Sequence, residues 1–373
     1  MPHLEVWEKV YMSDPEFLMS THGKVGCVIC HGGDSGSDDK YTAHAELIAD
    51  PSEVDCSTCH ADIYASVNSS LHQTLSAFIY NLEQRGGDFS ENSALSEAFD
   101  KHCTKCHATC GQCHVSIPTE LGGGLVENHE FMATPTLQYN CYACHGARPG
   151  DEYYGANVGI PADVHYAEDM TCTDCHSVEL HGSGELEDTR YHNDATASCD
   201  DCHLDIWENT EDNPQHEQHL SDLACQVCHS VSYKNCYSCH VGTDDLGLPY
   251  YQVEPSEMHF EIGLNPIRSA DNPYEYVVLR HPPVSIDTFV YYGENLLPDF
   301  NNLPTWKYAT PHNTQLETPQ NQSCNACHGV EDYFLLEDDV APEEIEANQG
   351  VIVTEIPEPV EEDIQAHQNK EED

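Results

Sequence analysis

Residues 103–114 read Cys-Thr-Lys-Cys-His-Ala-Thr-Cys-Gly-Gln-Cys-His, two copies of Cys-x-x-Cys-His separated by Ala108 and Thr109 alone. The first copy holds Cys103, Cys106 and His107, the second Cys110, Cys113 and His114. Working outward towards the N-terminus, the pattern recurs at Cys27, Cys30 and His31 and at Cys56, Cys59 and His60. Towards the C-terminus it recurs at Cys141, Cys144 and His145; at Cys172, Cys175 and His176; at Cys199, Cys202 and His203; at Cys225, Cys228 and His229; at Cys236, Cys239 and His240; and at Cys324, Cys327 and His328. Ten copies account for all 20 cysteines. A disulfide framework does not require a histidine at a fixed position after each pair. Closed Cys₄ zinc sites would leave ten histidines without a purpose.

Cys-x-x-Cys-His is the attachment pattern of c-type haem. The two thiols bond the haem vinyl groups and the histidine becomes an axial ligand to iron. The chain is therefore expected to carry ten haem c groups. Spread over 373 residues, that leaves about 37 for each. With 39% hydrophobic residues, 23 Gly, 21 Pro and 20 Tyr, the expected fold is mostly irregular coil with short α-helices and few β-strands, organised around a chain of ten covalent haems. The haem-free chain has too little apolar surface to offset its conformational entropy.

Thirteen Lys and Arg face 66 Asp and Glu, a formal charge of −53. Such a surface repels nucleic acid and anionic membranes and favours cationic partners or mineral cations. No run of about 18 apolar residues is present, so no transmembrane helix is expected. The opening MPHLEVWEKV lacks the basic and apolar regions of an export signal. Haem attachment chemistry nonetheless points to a periplasmic or extracellular location, and so to a chain whose export signal is missing here.

The motifs divide the sequence into a haem-dense region, 1–240, with nine sites; a haem-poor aromatic segment, 241–335, ending in the tenth; and an acidic tail, 336–373, expected to be flexible. The three steps from His107 to Cys110 span at most roughly 11 Å, which forces the third and fourth sites together. The short step from His229 to Cys236 suggests a second close pair, and the tenth site reads as isolated. Ile63, Val67, Leu71, Leu75, Phe78, Ile79 and Leu82 recur at helical spacing, predicting a helix over 61–84 that Gly86 and Gly87 end. A second, short helix is expected near Pro214, with His216 and His219 on one face. YEYVVL at 274–279 and IDTFVYY at 286–292 read as strands, which favours a packing role for the haem-poor segment over a substrate-binding insertion. The patch VIVTEIPEPV at 351–360 reads as part of a solubilising tail, or else as a contact with another subunit. Asp34, Asp38 and Asp39 could offer oxygen ligands to calcium, although a solvated acidic turn is favoured.

Fifteen histidines lie outside the motifs. A haem with two histidine ligands has no open position and transfers electrons without substrate chemistry. The distal ligands expected are His22, His44, His72, His102, His129, His165, His181, His216, His219 and His312. His192 and His281 are alternates, His259 ranks below them, and His3 and His367 read as bystanders. Met132, Met170 and Met258 could replace histidine and raise a potential, but histidine is in surplus.

The ten motifs, with CTKCHATCGQCHVSIP at 103–118, GGGLVENHEF at 122–131 and TPQNQSCNACHG at 318–329, resemble the multihaem c-type cytochromes. The longer stretches are loosely similar to the octahaem tetrathionate reductase group and to extracellular electron-transfer cytochromes. The first resemblance implies an oxyanion-reducing haem with lysine as axial ligand. In this chain every motif ends in histidine and only eight lysines exist. Two functions follow. The favoured one is an electron-transfer protein that serves redox partner proteins or an extracellular acceptor, as a monomer, a homo-oligomer or a filament subunit. The alternative is a reductase of a nitrogen or sulfur oxyanion at one open haem, with His259 or His281 as proton donor and Arg268 or Arg280 holding the anion.

Overall fold

The computed structural model describes residues 4–12, 15–52, 56–104, 108–176, 179–182, 197–210, 213–270 and 272–361. Short helices, short strands and coil alternate, and no sheet closes on itself. Two compact units result, both discontinuous in sequence. The first comprises Met1–Ala77, Lys105–Ala147 and Thr171–Thr196; the second comprises Phe78–Thr104, Arg148–Met170 and Ala197–Asp373. This differs from the expected boundaries at 240 and 335. The reason is apolar: Leu95, Ala98 and Phe99 are buried, and Leu95 and Ala98 share a core with Val241, Phe289, Leu297 and Phe300, far along the chain.

In the first unit, single helical turns at Cys27–His31, Lys40–Ala43, Cys56–Cys59, Cys110–His114 and Cys172–Cys175 are joined by coil, whereas Tyr142–His145 continues directly from the π-helical turn Leu137–Cys141. The helix expected over 61–84 is broken into Ala61–Val67, Leu71–Thr74 and Ser76–Gly86. Ser69 and Ser70 donate their hydroxyls to the carbonyls of Ser66 and Val67 at 2.7 and 2.9 Å, which competes with continued helix hydrogen bonding. Leu75 then takes a left-handed conformation, φ 54°, and ends the second piece. Leu75 and Pro118 are the only buried apolar side chains in this unit among the described residues, while Val25, Val28 and Ile29 around the first motif are exposed. A unit of this kind has no aliphatic core of its own.

The second unit does have one. β1 (Tyr233–Asn235) pairs with β4 (Glu257–His259), and β2 (His240–Thr243) with β3 (Pro249–Gln252), both antiparallel. β5 (Ile262–Leu264), β6 (Tyr276–Arg280) and β7 (Lys307–Tyr308) form a three-stranded antiparallel sheet with Ile262 opposite Val278. β6 matches the strand expected at 274–279. It is central and covered on both faces, so Val277, Val278 and Leu279 are all fully buried. Tyr233, also fully buried, accepts a hydrogen bond from the Glu261 N–H and donates its own to the Leu279 carbonyl. The strand expected over 286–292 does not form. Three consecutive turns, Thr288 N–H to Ser285 O, Val290 N–H to Asp287 O and Tyr292 N–H to Phe289 O, take its backbone bonds instead.

The acidic tail expected from 336 is folded as far as 361. Val351, Ile352 and Val353 are buried in the sheet's core. The Val351 carbonyl accepts from Leu264 N–H, and Val353 N–H donates to Leu335 O, both at 2.9 Å. The VIVTEIPEPV patch thus packs on its own chain.

Two buried cations tie this unit together. Arg85 donates to the carbonyls of Leu303 and Pro304, both at 2.9 Å, and burial lowers its pKa to about 10. Arg280 pairs with the fully buried Glu152, whose other oxygen accepts the His312 N–H at 3.0 Å. Arg280→Met would leave that carboxylate buried without its cation. The expected loss is about 3–5 kcal/mol, read as a large fall in thermal midpoint, whereas Arg268→Met at the exposed Glu275 pair should change it little. Among the described residues, no helix is long and apolar enough to cross a membrane.

Candidate cofactor-binding sites

A Cys-x-x-Cys-His pentad on one helical turn puts positions i, i+3 and i+4 on the same face, so both thiols and the imidazole project together. The helical turns at Cys27–His31, Cys110–His114 and Cys225–His229 span whole motifs. Caps set where several of these turns begin. Thr109 Oγ1 accepts the Gln112 N–H at 3.2 Å, while Gln112 Oε1 accepts the Thr109 N–H at 3.1 Å. Thr171 with Asp174, and Ser198 with Asp201, play the same reciprocal roles. A small hydroxyl residue ahead of the first cysteine is thus part of the local fold. The ninth motif differs: Ser238 is left-handed, φ 47°, and His240 opens β2.

Among the described residues, seven motif histidines lie ring to ring with a second histidine. The ring centroids are 6.2 Å apart for His60 and His22, 5.8 Å for His31 and His129, 6.2 Å for His145 and His72, and 5.9 Å for His114 and His181. In the second unit they are 6.2 Å for His203 and His165, 6.2 Å for His229 and His216, and 5.9 Å for His328 and His219. Two imidazoles sharing one metal through nitrogens about 2 Å from it would have centroids roughly 6 Å apart. Face-to-face rings lie closer, as His22 and Phe131 do at 3.9 Å, whereas edge-on rings such as Tyr153 and Tyr154 share the 6.2 Å spacing. The seven spacings therefore fit a bis-histidine iron. The seven partners, His22, His72, His129, His165, His181, His216 and His219, are all among the ten histidines expected as distal ligands.

The outer hydrogen bonds fit too. Nδ1 donates to a backbone carbonyl in His31 (Ile48, 2.7 Å), His114 (Met132, 2.6 Å), His229 (Gln315, 3.0 Å), His328 (Glu358, 2.9 Å) and His219 (Gln215, 2.9 Å). A carbonyl can only accept, so the proton sits on Nδ1 and Nε2 keeps a lone pair for a metal. His165 Nδ1 instead meets the buried Asp163 carboxylate at 2.8 Å, which makes it a stronger donor. Burial, and next the neighbouring His176 and His181, lower the pKa of His72, which favours the neutral ring that coordinates. Burial likewise lowers that of His145, with His72 and His176 adding to it.

The other expected ligands stand as follows. His102 lies on the buried face of the Ser93–His102 helix with Nε2 2.8 Å from the Tyr292 hydroxyl, a bond it would have to give up to bind iron. His312 is half-buried, its N–H bonded to Glu152. His44 is exposed at the end of the Lys40–Ala43 turn. Both nitrogens of the alternate His281 are engaged, Nδ1 by Cys236 O at 2.7 Å and Nε2 by Glu344 at 2.8 Å. His259 is held at Nδ1 by Glu261 and at Nε2 by the Tyr237 hydroxyl, both at 3.1 Å. Neither is placed to ligate. Met132 contributes its carbonyl to His114, and Met258 sits in β4 opposite Lys234. Cys106, His107, His192, His3 and His367 lie outside the described residues.

Sequence reading missed the aromatic packing of the first two sites. Phe131 stacks on His22, and Phe17 lies 4.5 Å from His129. His129 is itself left-handed, φ 66°, a conformation rare outside glycine. The alternation His129-Glu130-Phe131 was the available signal. The proposed calcium loop is otherwise used: Asp34 caps the Gly36 N–H and Asp39 caps the Thr42 N–H. Among the described residues, no three His, Cys, Asp or Glu side chains converge to hold a metal by themselves. An iron that takes four bonds from a porphyrin needs only two from the chain. Comparison with protein-family models, curated proteins and solved structures gave no match for this chain.

Proposed function

We propose that this chain is a multihaem c-type electron carrier whose ten motifs each hold one haem, with histidine on both faces of most irons. The observation that carries this reading is the set of seven motif-to-distal histidine pairs at 5.8–6.2 Å. The near absence of buried apolar side chains in the first unit supports it, because a flat apolar cofactor would supply the missing core. Haem iron contributes a reversible one-electron couple. The chain's part is to attach, orient and pair ligands, to fix their tautomers through Nδ1, and to surround the sites with carboxylates. A charge of −53 favours cationic redox partners or a mineral acceptor, in the periplasm or outside the cell, with a homo-oligomer or filament compatible with the same sites.

The reductase reading has less support. Arg268 is paired with Glu275 at 3.0 Å and Arg280 with Glu152, so neither guanidinium is offered to an anion. The proposed proton donors His259 and His281 are committed at both nitrogens. The test is haem content by pyridine haemochrome together with electron paramagnetic resonance of the oxidised protein. About ten haems per chain with low-spin signals alone are expected. A substantial high-spin fraction that shifts with nitrite, hydroxylamine or tetrathionate would overturn the carrier in favour of the reductase.

A further inference from the structure

We infer that the eighth and tenth motifs form one adjacent pair of sites, so that the path in the second unit runs from the seventh to the eighth and then to the tenth, with the ninth off this line. The inference rests on the carrier reading above. It reverses the order along the chain, where the ninth motif follows the eighth closely and the tenth stands far away.

The helix Pro214–His219 carries both distal ligands. His216 faces His229 of the eighth motif, and His219, three residues on, faces His328 of the tenth. Residues three apart in a helix have Cβ atoms about 5–6 Å apart, so one helical turn reaches both sites. The segment leading into the tenth motif is clamped to the eighth. Thr318 Oγ1 and Asn321 Nδ2 donate to the Cys228 carbonyl at 2.5 and 3.1 Å. Gln320, 5% exposed, donates to Val227 O at 3.1 Å and Ser230 O at 2.7 Å. Cys327 of the tenth motif packs against the core that contains Val227 of the eighth. Since the Cys228 and Cys327 sulfurs would sit at porphyrin edges, the two edges would be neighbours. On the other side, Gln226 of the eighth motif reaches Cys199 Sγ of the seventh at 4.0 Å.

The ninth motif is anchored elsewhere. Cys236 N–H donates to His281 O at 3.0 Å and Cys239 N–H to Pro283 O at 3.3 Å. Cys239 packs on the core of Leu95 and Phe289, whereas Cys327 packs on that of Val278 and Leu335. A strap closes over the tenth site: Asn325 and Val360 exchange hydrogen bonds of 3.1 and 2.7 Å, and Gly329 donates to Pro357 O. At Gly329 (φ 79°) a Cβ would lie 2.7 Å from Pro359, so only glycine fits there. In operation, an electron leaving iron(II) at the eighth site would reduce iron(III) at the tenth, with no bond broken.

A reporter variant tests this. In the full chain, His216→Met should raise the potential of the eighth site and separate it from the rest. Removing the tenth attachment site by Cys324→Ala with Cys327→Ala should then displace the reporter's midpoint potential, because a neighbouring charge has been lost. Removing the ninth by Cys236→Ala with Cys239→Ala should leave it in place. A reporter that moves only on loss of the ninth, or equally for both, overturns the inference. Haem content separates this from the carrier reading: each double variant should fall from ten haems to nine. No fall means that the attachment reading has failed, whereas nine haems with an unmoved reporter overturns the adjacency alone. If the cysteine variants do not assemble, His219→Ala with imidazole added and withdrawn should move the reporter reversibly, and a reporter that ignores both states also overturns it.

Discussion

His72→Ala is expected to convert one centre in ten from low to high spin while leaving the haem attached. His72 stands 6.2 Å from His145, on the short helix Leu71–Thr74 between the two serines that end one helical piece and the left-handed Leu75 that ends the next. Both rings are buried enough for their pKa values to be lowered, so water has poor access to replace the lost ring. Alanine removes the sixth ligand without touching Cys141, Cys144 or His145. A new high-spin signal of about a tenth of the iron should appear by electron paramagnetic resonance, and added imidazole should abolish it. The paired control is His281→Asn, which should leave the spin state alone because both its nitrogens bond to protein groups. A high-spin signal from the control, or none from His72→Ala, would sink the ligand assignment.

The second large effect concerns folding without haem. When the chain is made where haem cannot be attached, the first unit should fail to fold, while the second should keep its sheet. The first unit buries only Leu75 and Pro118 among its described apolar side chains, and apart from the run that begins at Leu137 its α-helical turns are four to seven residues long, well below the length at which helices persist alone. The second unit retains Tyr233, Ile262, Val277, Val278, Leu279, Trp306 and Leu335 in one core with the strap of Val351–Val353. A glutamate-specific protease suits a chain with 66 acidic residues. Sites within 5–53 and 120–130 should be cut rapidly in the haem-free chain, and sites within 257–346 far more slowly. Equal rates in the two units would mean that cofactor and core contribute alike to both.

Much of the local chemistry was legible from residues alone. Cysteine at i and i+3 with histidine at i+4 specifies one face of one turn, and Thr109, Thr171 and Ser198 ahead of the first cysteine supply the caps. Nothing distant is needed for that. The break at Leu75, the loss of the strand over 286–292 and the folding-back of 351–360 were not legible. The broken helix and the lost strand turn on hydroxyl groups or turns that compete with regular hydrogen bonding, as Ser69, Ser70 and Thr288 do, and the strap on an apolar surface contributed by remote strands.

The sequence by itself determined that there are ten Cys-x-x-Cys-His motifs and fifteen further histidines, the pattern on which the proposed attachment and ligation rest. Tertiary structure alone decided which histidine faces which motif. His22 directly precedes the first motif yet faces His60, while His129 comes from far along the chain to face His31. It also decided that the segment leading into the tenth motif bonds to the backbone of the eighth. The physical reason is one of range: attachment geometry is fixed within a single helical turn, whereas a distal ligand and a neighbouring site are delivered by packing between segments whose separation in sequence says nothing of their separation in space.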